Sequence, residues 1–279
     1  MAETMHDLLR ALHISTGFVG LAAFWIPALA RKGGRLHVAA GRVFSACAYV
    51  VALTALGSTS WALLHPASWA GEPVRLGEIP PDQIMFVAIL GFLGLLLLGG
   101  VETGVRAMRT RHQPERFVGW RLRFLGVAQA VAALALFVFG LFHVVRSGGG
   151  LFWIPVALGG ASFAGYFLED RRMLANPRPT PMAWWYTHMG GMIGSGIAFH
   201  TAFLVFGGQR LWGGALMQGA WSFLPWILPS VLGFPALHFW TRYYKRKFGE
   251  MPAQIAQAST LRGSVGAKAE PTGATDLPA

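Results

Sequence analysis

The sequence predicts an all-α integral membrane protein: a bundle of about seven transmembrane helices, N-terminus outside and C-terminus cytoplasmic. Three observations lead there. Over half of the 279 residues are apolar (54%) and only 13% are charged, with 36 Gly and 11 Trp. A soluble domain of this length carries about a quarter charged residues, whereas Gly and Trp suit membrane helix contacts and interfacial belts. Seven hydrophobic segments follow one another, at about 8–30, 36–64, 83–105, 117–145, 151–169, 183–206 and 214–241. Alternate connections collect 19 of the 23 Lys and Arg, leaving Arg10, Arg75, Arg146 and Arg210 on the other side. That is the positive-inside pattern. It assigns the net charge of +11 to the cytoplasmic face and its anionic headgroups, and excludes nucleic acid as the partner.

The first segment ends in Ala28-Leu29-Ala30, which looks like a cleavage site. Its positive cluster (Arg31, Lys32, Arg35) follows the apolar run, so an uncleaved first helix is expected. His13 lies one or two turns in, with Gly17 and Gly20 on roughly the same face. The second segment opens with His37, Gly41 and Arg42, contains the single cysteine, Cys47, and closes at His65-Pro66. A polar external loop is expected over 67–83. The third segment is nearly featureless until Glu102, where an ion pair with Arg106 is expected from the i,i+4 spacing. The most basic connection follows, Arg106 to Arg123. The fourth segment carries Gln129 and His143 within about 40° of one face. The fifth is short and ends at Glu169-Asp170-Arg171-Arg172, followed by the stiff linker NPRPTP. Prolines 225, 229 and 235 predict kinks in the last segment, which also holds Trp221 and His238. The expected organisation is a membrane domain over 1–248 and a disordered cytoplasmic tail over 249–279, poor in aromatics.

The sixth segment, WWYTHMGGMIGSGIAFHTAFLVF over 184–206, is the most informative stretch. An intramembrane histidine is costly without a partner and marks a functional site. Here there are two, His188 and His200, about 18 Å apart along the axis and turned roughly 120° from each other. Small residues between them make a side that another backbone or a flat cofactor can approach. Topology sorts the histidines by depth. His13, His143 and His200, with His65 at the boundary, lie toward the outside; His37, His188 and His238 lie toward the cytoplasm.

Imidazole is a common axial ligand of haem iron. A bis-histidine haem b takes one imidazole from each of two helices. Two layers therefore point to haem b: His13, His143 and His200 as outer candidates, His37 with His188 as the inner pair, and quinone as a plausible substrate within lipid reach. The 120° offset of His188 and His200 departs from the nearly aligned pair expected for two stacked haems. No CxxCH motif supports covalent haem, and no HExxH or CxxC spacing supports zinc or copper. Neither a Walker motif, a GxGxxG unit nor a nucleophile elbow stands in a believable context. Two other classes stay open. One is a proton or small-solute transporter lined by Gln129, His143 and the proline kinks. The other is a structural or assembly subunit of a membrane complex that docks through the Gly-rich sixth helix.

Three stretches carry a family resemblance: LHISTGFVGLAAFWIPALARKGGRLHVAAGRVF, HMGGMIGSGIAFHTAF and WSFLPWILPSVLGFPALHFW. Over about residues 8–245 the chain resembles an uncharacterised family of predicted bacterial multi-pass membrane proteins, a domain of unknown function. The matching positions are His13 with Gly17, His37 with Gly41, and His188 with Met192, Gly194 and Ser195. The resemblance implies a multi-helix fold in the bacterial cytoplasmic membrane and favours His13, His37 and His188 over His200. It implies no activity.

Overall fold

A computed structural model of the chain describes residues 2–66, 76–176, 179–208, 211 and 222–251. Every regular element among them is helical: α1 (Ala2–Leu29), α2 (Arg35–Leu64), α3 (Pro81–Arg109), α4 (Trp120–Ser147), α5 (Trp153–Gly165), α6 (Arg171–Ala175), α7 (Ala183–Ala202) and α8 (Leu224–Lys247). Short 3-10 turns precede α3, α4 and α5; π-helical turns over Tyr166–Asp170 and Phe203–Gly207 extend α5 and α7. Of the loop expected over 67–83, residues 67–75, with Arg75, lie outside the described residues, and its end is already helical from Pro81; Arg178, Arg210, Trp221 and the tail from 252 also lie outside them.

Six runs are long and apolar enough to cross a membrane: Leu8–Leu29, Arg35–Leu64, Pro81–Arg109, Trp120–Ser147, Gly150–Ala175 and Ala183–Gly207. They match the first six expected segments. Of the seventh, expected over 214–241, residues 214–221 lie outside the described residues; the described part is helical from Leu224, runs six residues past the expected end, and is not among the six. Its three prolines sit within the helix, as expected, and its last turn is Lys245-Arg246-Lys247.

By internal contacts the chain divides into two units, Met1–Phe234 and Pro235–Ala279. In the second, the described residues are the latter part of α8 and its closing turn, where the expected boundary at 248 falls. The Glu250 N–H donates to the Lys245 carbonyl (2.8 Å) there, and Gly249 adopts φ +70°.

In the first unit, α1 packs on α2, α2 on α3, α3 on α4 and α4 on α5, while α7 lies along α3. The nearly featureless third segment is thus the central helix. Its apolar residues face three neighbours, and Met85, Ile89, Phe92, Leu93, Leu97 and Val101 are buried. The outer face of α4 shows the opposite. Phe124, Val127, Val131, Leu134, Val138, Leu141 and Val145, spaced by three and four, are exposed, as a lipid-facing stripe requires. Its other face is small (Gly126, Ala130, Ala133, Gly140) and buried. Within this unit, Trp226 of α8 packs on Phe86 and Phe206.

The backbones of α3 and α7 approach closely, as do those of α4 and α5 at Gly159. A Cβ on Gly191 would fall 2.6 Å from the Gly100 carbonyl oxygen and 2.7 Å from the Gly104 nitrogen. Ser195, fully buried, donates to the Gly191 carbonyl (2.7 Å) at the same seam. This is small-residue packing of the kind membrane helices use in place of a hydrophobic drive. The Gly-rich side of the sixth segment therefore meets another backbone, as expected, but that backbone is α3 of the same chain. A further part of it, Gly196, is covered by the Phe24 ring of α1.

Candidate functional site

The candidate site begins with an ordinary problem of helix ends. The last carbonyls of α1 have no partner within the helix. Ile26 O accepts the Ala30 N–H. Pro27 O and Ala28 O both accept the Lys32 ammonium, at 2.8 and 2.6 Å. Lys32 follows the span, and its burial lowers its pKa from the ordinary lysine value. Pro27 O accepts one more bond, from Nδ1–H of His37 at 3.1 Å. The end of α1 thus fixes the orientation of a ring on the first turn of α2.

Its counterpart is His188 on α7. Nδ1–H of His188 donates to the Gly104 carbonyl of α3 at 2.9 Å, which the close seam of α3 and α7 brings within reach. The rings of His37 and His188 stand 6.5 Å apart, centre to centre, at 65° to each other. Both are half-buried. Because a carbonyl can only accept, each Nδ1 carries a proton, and in the neutral ring Nε2 is then the nitrogen with the lone pair. Neither Nε2 has a hydrogen-bond partner among the described residues. One turn beyond His37, a Cβ on Gly41 would meet nothing within 4 Å. His37 and His188 are therefore brought together from two helices, with a backbone carbonyl holding Nδ1–H of each ring.

The outer candidates separate. His13 is held by Thr54 of α2 (Nδ1 to Oγ1, 2.7 Å). The Thr54 hydroxyl donates to the Val50 carbonyl (2.8 Å), so its oxygen accepts from His13 Nδ1–H and Nε2 of His13 again stays open. Gly17, one turn on, also has open space where a Cβ would stand. Along α2, Thr54 lies 17 residues from His37, about 26 Å. His200 is different. Its Nδ1–H donates to the Gly196 carbonyl (2.7 Å), and its Nε2 accepts from the Trp25 indole N–H (3.1 Å). Both nitrogens are used. His143 is enclosed by Phe139, Phe142 and Phe152, stacked on Phe152 at 4.7 Å. No hydrogen bond or ring contact joins it to His13 or His200 among the described residues. Thus the structure assembles two of the five candidates, His37 and His188, gives His13 the same preparation alone, and holds His143 and His200 in other company.

Three polar residues also differ from expectation. Glu102 is not paired with Arg106. The Arg106 guanidinium turns to the carbonyls of Phe117 and Arg116, the latter at 2.6 Å, and pins the loop between α3 and α4. Two fixed carbonyls outcompete one flexible carboxylate. Glu102 instead accepts the Tyr49 hydroxyl at 2.6 Å. Gln129 donates to the Leu95 carbonyl (3.1 Å) and so joins α4 to α3. Sequence reading missed Trp25, Thr54 and Tyr49. Nothing in the local pattern marks them, since each acts on a residue 41 to 175 positions away. No group of three or more His, Cys, Asp and Glu side chains among the described residues is placed to hold a metal ion. Comparison with family models, with curated proteins and with solved structures finds no match to this chain.

Proposed function

We propose that this is a haem-b-binding, redox-linked membrane protein whose inner site is His37 with His188. One observation carries the reading: two imidazoles from different helices, 6.5 Å apart, each with Nδ1–H tied to a carbonyl and Nε2 unpartnered. An iron held from both sides by imidazole nitrogens at about 2 Å sets the ring centres roughly 6 Å apart. Anchoring the far nitrogen is also what fixes and strengthens a histidine ligand. A bare structural zinc takes four protein ligands, whereas haem iron needs only these two. The open space at Gly41 is the kind of gap a macrocycle requires beside its ligand.

A haem there would supply one-electron chemistry. The chain's own part is to orient the rings through Pro27 O and Gly104 O and to hold α7 against α3. The reading narrows the outer layer to His13, since His200 is saturated and His143 is packed among phenylalanines. It carries with it the topology read from 19 basic residues against four, with the N-terminus outside and the C-terminus in the bacterial cytoplasm. Membership of the uncharacterised multi-pass family belongs to the same proposal, as do anionic lipid at the basic face and a quinone or a membrane complex as redox partner.

The test is an absorption spectrum of detergent-purified protein, oxidised and then reduced with dithionite, with a pyridine haemochrome assay. A sharp reduced α-band with about one haem per chain is expected. A colourless, folded protein made with ample haem would overturn the reading. The pair would then be tried as a proton carrier in liposome flux assays.

A further inference from the structure

Glu102 lies seven residues inside the end of α3, about 10 Å, in a run of otherwise apolar character. It is half-buried. Its Oε2 accepts the Tyr49 hydroxyl from α2, and its Oε1 has no partner among the described residues. Nor does it form an ion pair there. The charged and titratable groups near it are few. On its own helix Arg106 is turned to loop carbonyls, and Arg109 lies two turns on. Arg121, at the start of α4, acts with Arg109 on the Tyr49 hydroxyl through charge alone. On α7, His188 is bonded to the Gly104 carbonyl, two residues from Glu102.

A carboxylate with a single neutral donor at membrane depth is costly to keep charged. Taking up a proton removes that cost. We propose that Glu102 and Tyr49 form a proton-exchange site at the Arg-rich end of α3. A proton passes from hydronium to Oε1, so that one O–H bond of hydronium breaks, one forms on the carboxyl and water is left, while the Tyr49 hydroxyl keeps its hydrogen on Oε2; release is the reverse. The inference does not rest on haem. Tyr49 lies twelve residues, about 18 Å, from His37 along α2.

The test uses dicyclohexylcarbodiimide, which attacks protonated carboxyls in apolar surroundings, on the whole purified protein, with the adduct located by mass spectrometry. Glu102 is expected to be modified in the folded protein, several-fold faster at acid than at alkaline pH. Tyr49→Phe, which removes the donor to the carboxylate, is expected to speed the labelling. An unmodified Glu102 in folded protein, with the same peptide labelled after unfolding, would overturn the proposal. So would a labelling rate indifferent to both pH and Tyr49→Phe. The readout needs no cofactor, so a colourless protein leaves it intact.

Discussion

His188 and His200 stand twelve residues apart on one helix, and their neighbours give them opposite capacities. His188 looks toward α3 and α2, where a backbone carbonyl takes Nδ1–H and the next group is another imidazole. His200 looks toward α1, where Phe24 lies against its ring and the Trp25 indole fills its remaining nitrogen. An imidazole becomes a ligand candidate when one nitrogen is anchored and the other left open. It becomes a structural bond when both are used. The difference comes from the 120° turn between them, which sends each ring to a different neighbouring helix.

The largest expected effect breaks the inner pair. On the proposed haem reading, His37→Ala should remove nearly all of the haem, read as the haem-to-protein ratio, and added imidazole should restore part of it. Next, Gly191→Leu forces a side chain between the backbones of α3 and α7, which cannot give. A loss of about 3 kcal/mol, the upper part of the usual overpacking range, is expected, seen as a lowered unfolding temperature in detergent. Gly194→Ala, with nothing within 4 Å of its Cβ, is its control and should be nearly neutral. Trp25→Phe empties the His200 side of the comparison. It should cost about 1 kcal/mol and leave the haem spectrum unchanged. Smallest is Thr54→Val, which removes the anchor of His13. About 0.6 kcal/mol is expected for such a bond within a membrane, again without effect on the inner site.

The six helices long and apolar enough to cross a membrane were legible because long apolar runs are local signals. The sequence also grouped His37 with His188, whose rings the structure brings to 6.5 Å. The centrality of α3 was not legible. A helix buried on three sides is apolar all round and offers no period to read. The saturation of His200 was hidden because its partner is 175 residues away. The ion pair of Glu102 with Arg106 failed for a related reason. Spacing reports which groups are within reach, whereas the loop carbonyls of Arg116 and Phe117 decided the competition.

The most direct measurement is haem stoichiometry in two variants purified side by side, His188→Ala and His200→Ala, each verified as folded by circular dichroism. Loss of haem from His188→Ala with full retention in His200→Ala is the expected result. Equal retention in both, or loss only from His200→Ala, would contradict the assignment of the open pair as the binding site.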